Sequence, residues 1–261
     1  MPELIEVERY RQLAHQCVGR EIVLVRCPDP WYLKGGLAGP DVAEWLIGRS
    51  ISDTYRRGKL MTVSFSDDGP TLGLRFGMTG QLIVDGVSGV GELLYSARNV
   101  DDKFNRFELG FADGGSMVMS DPRRLGGIED SPDVDALGPE ASTISVAQLR
   151  TAIRLSKSPI KAVLMDQSRM AGLGNLLCDE ILWRARINPG RGAFSLLNAD
   201  LAGLQKSIVN TVRTLTKRGG SHLGDLQSSR SRAGVCPRCS APLARGTIGG
   251  RTTYWCTVEQ S

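Results

Sequence analysis

With 261 residues the chain exceeds one typical domain, and a norm of roughly 150 residues per domain suggests two. Hydrophobic residues at 41% and charged residues at 23% describe a globular composition. No apolar run approaches the roughly 18 residues of a membrane-spanning helix, which excludes an integral helical membrane protein.

The net charge of +4 allows nucleic acid as a partner without demanding it. Distribution says more than the sum: acids are plentiful across 85–140, whereas from 150 onward Arg150, Arg154, Lys157, Lys161, Arg169, Arg184, Arg186 and Arg191 outnumber them. The N-terminus, with Pro2, Glu3 and Glu6, lacks the basic start and apolar stretch of a secretory signal, so a cytoplasmic location is expected. Cys236, Cys239 and Cys256 cluster near the C-terminus, which in a cytosolic chain argues for a metal before disulfides; Cys17, Cys27 and Cys178 read as core.

In chain order, residues 3–17 place Leu4, Val7, Tyr10, Ala14 and Cys17 at helical spacing, a first helix with one buried stripe. Short β-type runs follow at 21–27, 50–56, 60–66, 71–76, 81–84, 92–96, 104–111 and 115–119, divided by turn signals such as Asp67-Asp68-Gly69-Pro70. This predicts an antiparallel sandwich or barrel. The Pro/Gly/Asp-rich stretch 121–142 holds the domain junction. Beyond it the period is helical over 145–155, 160–166, 173–184 and 198–218, the last stopping at Gly219-Gly220. Its buried side carries Leu201, Leu204, Ile208, Val212 and Leu215, leaving Lys206, Arg213, Lys217 and Arg218 for solvent or phosphate. Residues 221–235 read as a flexible, basic connection to the cysteines.

Removal of Met1 would expose the secondary amine of Pro2 beside two carboxylates. A terminal amine near pKa of about 7.7–8.0 is roughly a tenth or more unprotonated at neutral pH, far more than a lysine near about 10.4. Attack on a nucleoside anomeric carbon would give an iminium, the electron sink for eliminating phosphates, and Glu3 could protonate the opening ring oxygen. The plainer alternative is that Pro2 only starts a helix whose dipole Glu3 and Glu6 complement.

Five motifs in order bear on that choice. They are Pro2-Glu3 with Glu6; Arg56-Arg57-Gly58-Lys59 at a strand start; Gly77-Met78-Thr79-Gly80; Asp121-Pro122-Arg123-Arg124-Leu125-Gly126; and Lys157 and Lys161 ahead of Gly172-Leu173-Gly174-Asn175, which opens the helix carrying Glu180. Along nearly its whole length the chain resembles the formamidopyrimidine-DNA glycosylase and endonuclease VIII family. The resemblance implies a bifunctional DNA glycosylase and abasic-site lyase of base-excision repair, forming a Schiff base on its terminal proline. It implies Pro2 as nucleophile, Glu3 as general acid, Lys59 assisting elimination and Glu6 supporting the site. Met78 and Arg123 would fill the stack vacated by an everted nucleotide. Lys157, Lys161 and Asn175 would hold phosphates at a helix N-terminus. Cys236-Pro237-Arg238-Cys239, sixteen intervening residues and Cys256 resemble the family's zinc ribbon, with Arg251 in its hairpin gripping phosphates.

The implied fold is α+β: an N-terminal catalytic β-sandwich flanked by helices over 1–130, a helix-two-turn-helix DNA-binding domain over 131–225, and a zinc-finger-like hairpin over 226–261. Damaged duplex DNA would lie in a basic cleft between domains, bound by a monomer. Departures stand out. Glu259 occupies the position of the expected fourth cysteine, leaving a Zn2+ site of three cysteines with Glu259, or a hairpin held by packing alone, as alternatives. The short stretch 221–235 replaces the usual extended lid, and Leu125, Arg75 and Ile5 stand where phenylalanine, histidine and proline are common. These changes point to 8-oxoguanine as a poor substrate, and they leave a catalytically silent damaged-DNA-binding protein of the same fold as the rival reading.

Overall fold

The computed structural model describes residues 2–91 and 101–261. The strand expected over 92–96 lies outside the described residues. The chain divides into two compact units, Met1–Val134 and Asp135–Ser261.

The first unit opens with helix α1 (Leu4–His15), started by a capping box in which Glu6 Oε2 accepts from the Glu3 backbone N–H at 2.8 Å. Its stripe of Leu4, Val7, Tyr10 and Ala14 is buried, as the spacing predicts. Strands β1 (Ile22–Arg26), β2 (Ile51–Arg57), β3 (Leu60–Phe65), β4 (Thr71–Arg75), β5 (Gln81–Val84), β6 (Val87–Ser88), β7 (Asn105–Phe111), β8 (Ser116–Ser120) and β9 (Gly127–Asp130) form two antiparallel sheets, ordered β1-β7-β8-β5-β6 and β2-β3-β4-β9. A single apolar cluster joins Ile22, Leu109 and Met119 of one sheet to Val63, Leu72 and Ile128 of the other, with Val7 and Tyr10 of α1 packed in it. The unit is therefore a β-sandwich flanked by helices, including α2 (Gly39–Leu46), which the sequence reading left unassigned. Strand β9 likewise lies inside the stretch read as junction.

The second unit is helical: α3 (Val146–Ile153), α4 (Ile160–Met165), α5 (Asn175–Ala185) and α6 (Asn198–Arg218), then the hairpin of β10 (Leu243–Ile248) and β11 (Arg251–Cys256). Helix α3 begins with a capping box between Ser145 and Gln148. Every residue of α5 from Leu176 to Trp183 is buried, so this helix forms the unit's axis. Helix α6 buries Leu201, Leu204, Ile208, Val212 and Leu215 and exposes Lys206, Arg213, Lys217 and Arg218.

The connection 221–235 is anchored, contrary to the expected flexibility. The buried Glu180 carboxylate accepts from the backbone N–H groups of Asp225 at 3.0 Å and Leu226 at 2.9 Å, and Leu226 is fully buried. The side chain of Arg230 is pinned to Asp179. A carboxylate satisfying two backbone donors fixes the chain there because leaving those groups unpaired would cost about 1–3 kcal/mol each.

Candidate active site and anion-binding residues

Pro2 and Glu3 are buried where α1 begins, and Glu6, also buried, faces back onto the Glu3 backbone. Two carboxylates thus sit within one turn of the Pro2 nitrogen. Helix α1 packs on β2, and the contact carries a specific brace. Glu8 Oε2 accepts from Arg56 Nε at 2.9 Å, and a terminal nitrogen of Arg56 donates to the Gly58 carbonyl at 2.8 Å. Gly58 and Lys59 form the two-residue turn between β2 and β3, since Arg57 pairs with Leu60. Gly58 adopts φ +59°, a conformation that favours glycine at the first turn position. The half-buried Lys59 is therefore carried on a turn tied to the helix that bears Glu3 and Glu6. Partial burial works against ionisation of Glu8, yet the bonds from Arg11 and Arg56 prevail and hold its carboxyl below the usual range.

Met78 and Arg123 occupy two adjoining loops, and an Arg123 guanidinium nitrogen lies 3.5 Å from Met78 Sδ. Asp121, fully buried, clamps them together. Its Oδ1 accepts from the Thr79 hydroxyl at 2.6 Å and the Arg123 N–H at 3.2 Å, and its Oδ2 accepts from the Gly126 N–H at 2.8 Å. Gly77, at φ +55°, lies so close to the Leu125 backbone that any side chain there would collide with it. Arg124 forks onto Asp29 at 2.6 and 2.7 Å, and this pairing holds the Asp29 carboxyl below its ordinary range. Leu125, at 51% exposure, stands outward beside them.

In the second unit, Gly172 (φ +112°) and Gly174, the cap residue, lead into α5. Gln167 braces this loop by accepting from the Gly172 N–H at 3.0 Å and donating to the Met165 and Leu173 carbonyls. Asn175 opens α5, half-buried at the helix N-terminus. Its Oδ1 accepts from Lys161 Nζ at 2.6 Å. Lys161 itself has no exposed side-chain surface and forms an ion pair with the equally buried Asp179 at 2.6 Å. Lys157 is exposed, as is Arg251, which follows the Gly249-Gly250 turn of the hairpin.

Cys236, Cys239 and Cys256 bring their three sulfurs within 4.8 Å of one another, so they could hold a metal ion. Burial opposes ionisation of Cys236, but hydrogen bonds from the Trp183 indole and from the Arg238 and Cys239 backbones bring its thiol down to about 7. A thiol that ionises so readily suits a soft cation. Glu259 does not join the cluster: its carboxylate faces Arg186 at 3.5 Å. Gln260 fastens the terminus instead, accepting from the Cys256 N–H at 2.8 Å and donating to the Ile187 carbonyl at 2.9 Å. Arg238 stacks on Trp183 with 4.0 Å to the ring centre and donates to its carbonyl. Packing and polar contacts thus supplement the thiol cluster.

Sequence reasoning missed Glu8, Arg56 as a brace, Asp121 as a clamp, Asp179 and Thr253. These contacts join residues far apart in the chain: Glu8 meets Arg56 48 positions on, Asp121 reaches Thr79 across 42, and Lys161 meets Asp179 across 18 and Thr253 across 92, so no contiguous motif displays them.

Comparison with known proteins gives a consistent result. Residues 1–128 match the formamidopyrimidine-DNA glycosylase N-terminal domain, and residues 136–226 match the formamidopyrimidine-DNA glycosylase H2TH domain. The chain is 32% identical over 280 residues to the formamidopyrimidine-DNA glycosylase of Roseiflexus sp., covering 98% of each protein. It is 34% identical over 282 residues to that of Geotalea uraniireducens, again covering 98% of each. Among solved structures, Lactococcus lactis Fpg in complex with an abasic site containing DNA superposes with a TM-score of 0.83 at 27% identity, covering 100% of both chains. The wild-type Lactococcus lactis Fpg with a N7-benzyl-Fapy-dG containing DNA gives 0.82 at 27% identity, covering 99% of each.

Proposed function

The chain belongs to the formamidopyrimidine-DNA glycosylase family, DNA glycosylases of base-excision repair that act on damaged duplex DNA, and on that premise we propose that it works through a covalent bond to Pro2 and also nicks the strand. With Met1 removed, the Pro2 nitrogen attacks C1′ of the damaged nucleotide. The C1′–N bond to the base breaks, and the base leaves with that electron pair and a proton. Glu3 protonates O4′ as the C1′–O4′ bond opens, which leaves an iminium between Pro2 and C1′. The iminium acidifies the C2′ hydrogens, so loss of one expels the 3′ phosphate, the strand-cutting step that Lys59 assists. Glu6 keeps the start of α1 in place for both steps.

The single observation carrying this reading is the buried pair Glu3 and Glu6 at Pro2, in one unit with the turn lysine braced through Glu8, Arg56 and Gly58. Asn175 and Arg251 hold backbone phosphates, the first at a helix N-terminus and the second with its planar fork. Lys157, exposed in the same unit, adds a further cation for phosphate. Met78 and Arg123, supported by Asp121, replace the stacking lost when a nucleotide leaves the duplex. The metal held by Cys236, Cys239 and Cys256 is zinc, a structural cross-link of the hairpin.

Formamidopyrimidines are favoured over 8-oxoguanine because residues 224–230, pinned by Glu180 and Asp179, supply no long loop to close over an everted purine. Base release and strand cleavage, scored separately on duplexes differing only in a single formamidopyrimidine or 8-oxoguanine, test this. Both products from the formamidopyrimidine duplex, with much slower release of 8-oxoguanine, are expected; equal release of the two bases refutes the lesion preference, and release of neither refutes the enzyme.

A further inference from the structure

Three oxygens surround the Lys161 ammonium: Asn175 Oδ1 at 2.6 Å, Thr253 Oγ1 at 2.7 Å and Asp179 Oδ1 at 2.6 Å. An ammonium has three N–H donors and no lone pair. With its side chain wholly buried, two hydrogen bonds made and an ion pair to Asp179, Lys161 has no surface to offer a phosphate. Arg230 completes the cluster from the other side, donating to Asp179 Oδ2 at 3.1 and 2.8 Å while its guanidinium lies over Tyr254.

We propose that Lys161 and Asp179 are positioning residues for the phosphate grip, acting through Asn175 and Arg251 without touching DNA. The inference rests on the phosphate roles given above to Asn175 and Arg251. Only an oxygen can face an ammonium, so Lys161 fixes the Asn175 amide with its NH2 turned away from the cluster and free to act as a donor at the start of α5. The same ammonium donates to Thr253 Oγ1, so the hydroxyl proton points elsewhere, and it goes to the Arg251 carbonyl at 3.0 Å. That bond holds the first residue of β11 in place. The adjoining Gly249 lies against Ala162, the neighbour of Lys161 on α4, so turn and helix are in direct contact. Asp179, on α5, supplies the negative charge that lets the ammonium remain buried. One buried pair thereby sets two anion-facing donors that are 76 positions apart in the chain, Asn175 and Arg251.

The test is binding of the full-length protein to a duplex containing a tetrahydrofuran abasic-site analogue, measured across a series of salt concentrations. Asn175→Ala with Arg251→Ala should weaken binding and flatten the dependence of log K on log salt by about 0.9, the contribution of one phosphate cation. Thr253→Val removes no charge, is nearly isosteric, and should still weaken binding about tenfold in the otherwise intact protein, the equivalent of one charge-assisted hydrogen bond. Adding Lys161→Met or Thr253→Val to the Asn175→Ala, Arg251→Ala background should change Kd less than about twofold, because the residues they position are gone.

A further flattening of the salt slope by about 0.9 when Lys161→Met enters that background would make Lys161 itself a phosphate ligand and overturn the proposal. So would parental affinity in both Thr253→Val and Lys161→Met. Parental affinity in Asn175→Ala, Arg251→Ala would instead remove the phosphate reading beneath it, an outcome seen before Lys161 is altered. Should Lys161→Met fail to fold, as a melting curve would reveal, Thr253→Val in both backgrounds decides the question by itself.

Discussion

The Thr79 hydroxyl donates to Asp121 Oδ1 at 2.6 Å, and through this bond the loop bearing Met78 is joined to the loop bearing Arg123. The two side chains proposed to refill the stack, Met78 half-exposed and Arg123 exposed, are consequently mounted on a buried carboxylate that also accepts the Arg123 and Gly126 N–H groups. Asp121→Ala should lower unfolding free energy by about 1–3 kcal/mol through the donors left unpaired, measurable by urea denaturation. Met78→Ala removes a half-exposed side chain; it should leave the melt nearly unchanged while slowing base excision about tenfold or more, a separation that a core role for Met78 would not give.

The Glu8 brace predicts an acid limit. Because the folded carboxyl is held below its usual value of about 4.3, its stabilising contribution is complete above that value and is lost as pH falls through the lower folded one. Wild type should therefore exceed Glu8→Gln in stability at neutral pH, with the gap closing below about pH 4. Denaturant titrations at both pH values check the sign; a gap that widens on acidification contradicts it.

Chelation should lower the melting temperature of the second unit, and Cys239→Ser should lower metal content measured by elemental analysis. Glu259→Ala should leave stoichiometry unchanged, since the carboxylate is turned toward Arg186 rather than the sulfurs. Loss of metal in that variant would restore Glu259 as a ligand.

Glu180 predicts a larger effect. Its buried carboxylate accepts from Arg184 at 2.6 Å as well as from the Asp225 and Leu226 backbones. Glu180→Ala should destabilise by about 3–5 kcal/mol and make residues 224–230 sensitive to proteolysis. Unaltered protease resistance would show that the connection is held by other contacts.

Much of this was legible in the sequence where periodicity or contiguous motif carries the information. The stripes of α1 and α6 and most of the strands follow from spacing and turn signals, while the Gly58-Lys59 turn came only through the family resemblance. Helix α2 escaped notice because Gly39-Pro40 reads as a turn although proline suits a helix's first turn. Strand β9 is four residues long within a Pro/Gly/Asp-rich stretch, too short for a pattern to emerge. The connection after α6 looks flexible by composition, and its rigidity comes from Asp179 and Glu180, some 45 to 51 residues away. Separation in sequence also hid the Lys161 environment, with Asp179 18 and Thr253 92 positions away: a lysine before a glycine-rich helix start resembles a phosphate ligand until both are seen around it.

The central claim is a covalent bond to Pro2, and borohydride trapping on a duplex with one abasic site tests it most directly. Met-processed protein should give a cross-linked protein-DNA band that is much weakened in Pro2→Gly, whose terminal amine is primary and less suited to the iminium, with Glu3→Gln still able to trap but impaired in base release. A band of undiminished strength in Pro2→Gly, or none from processed wild type that binds the same duplex tightly, would contradict the account and favour a silent damaged-DNA binder.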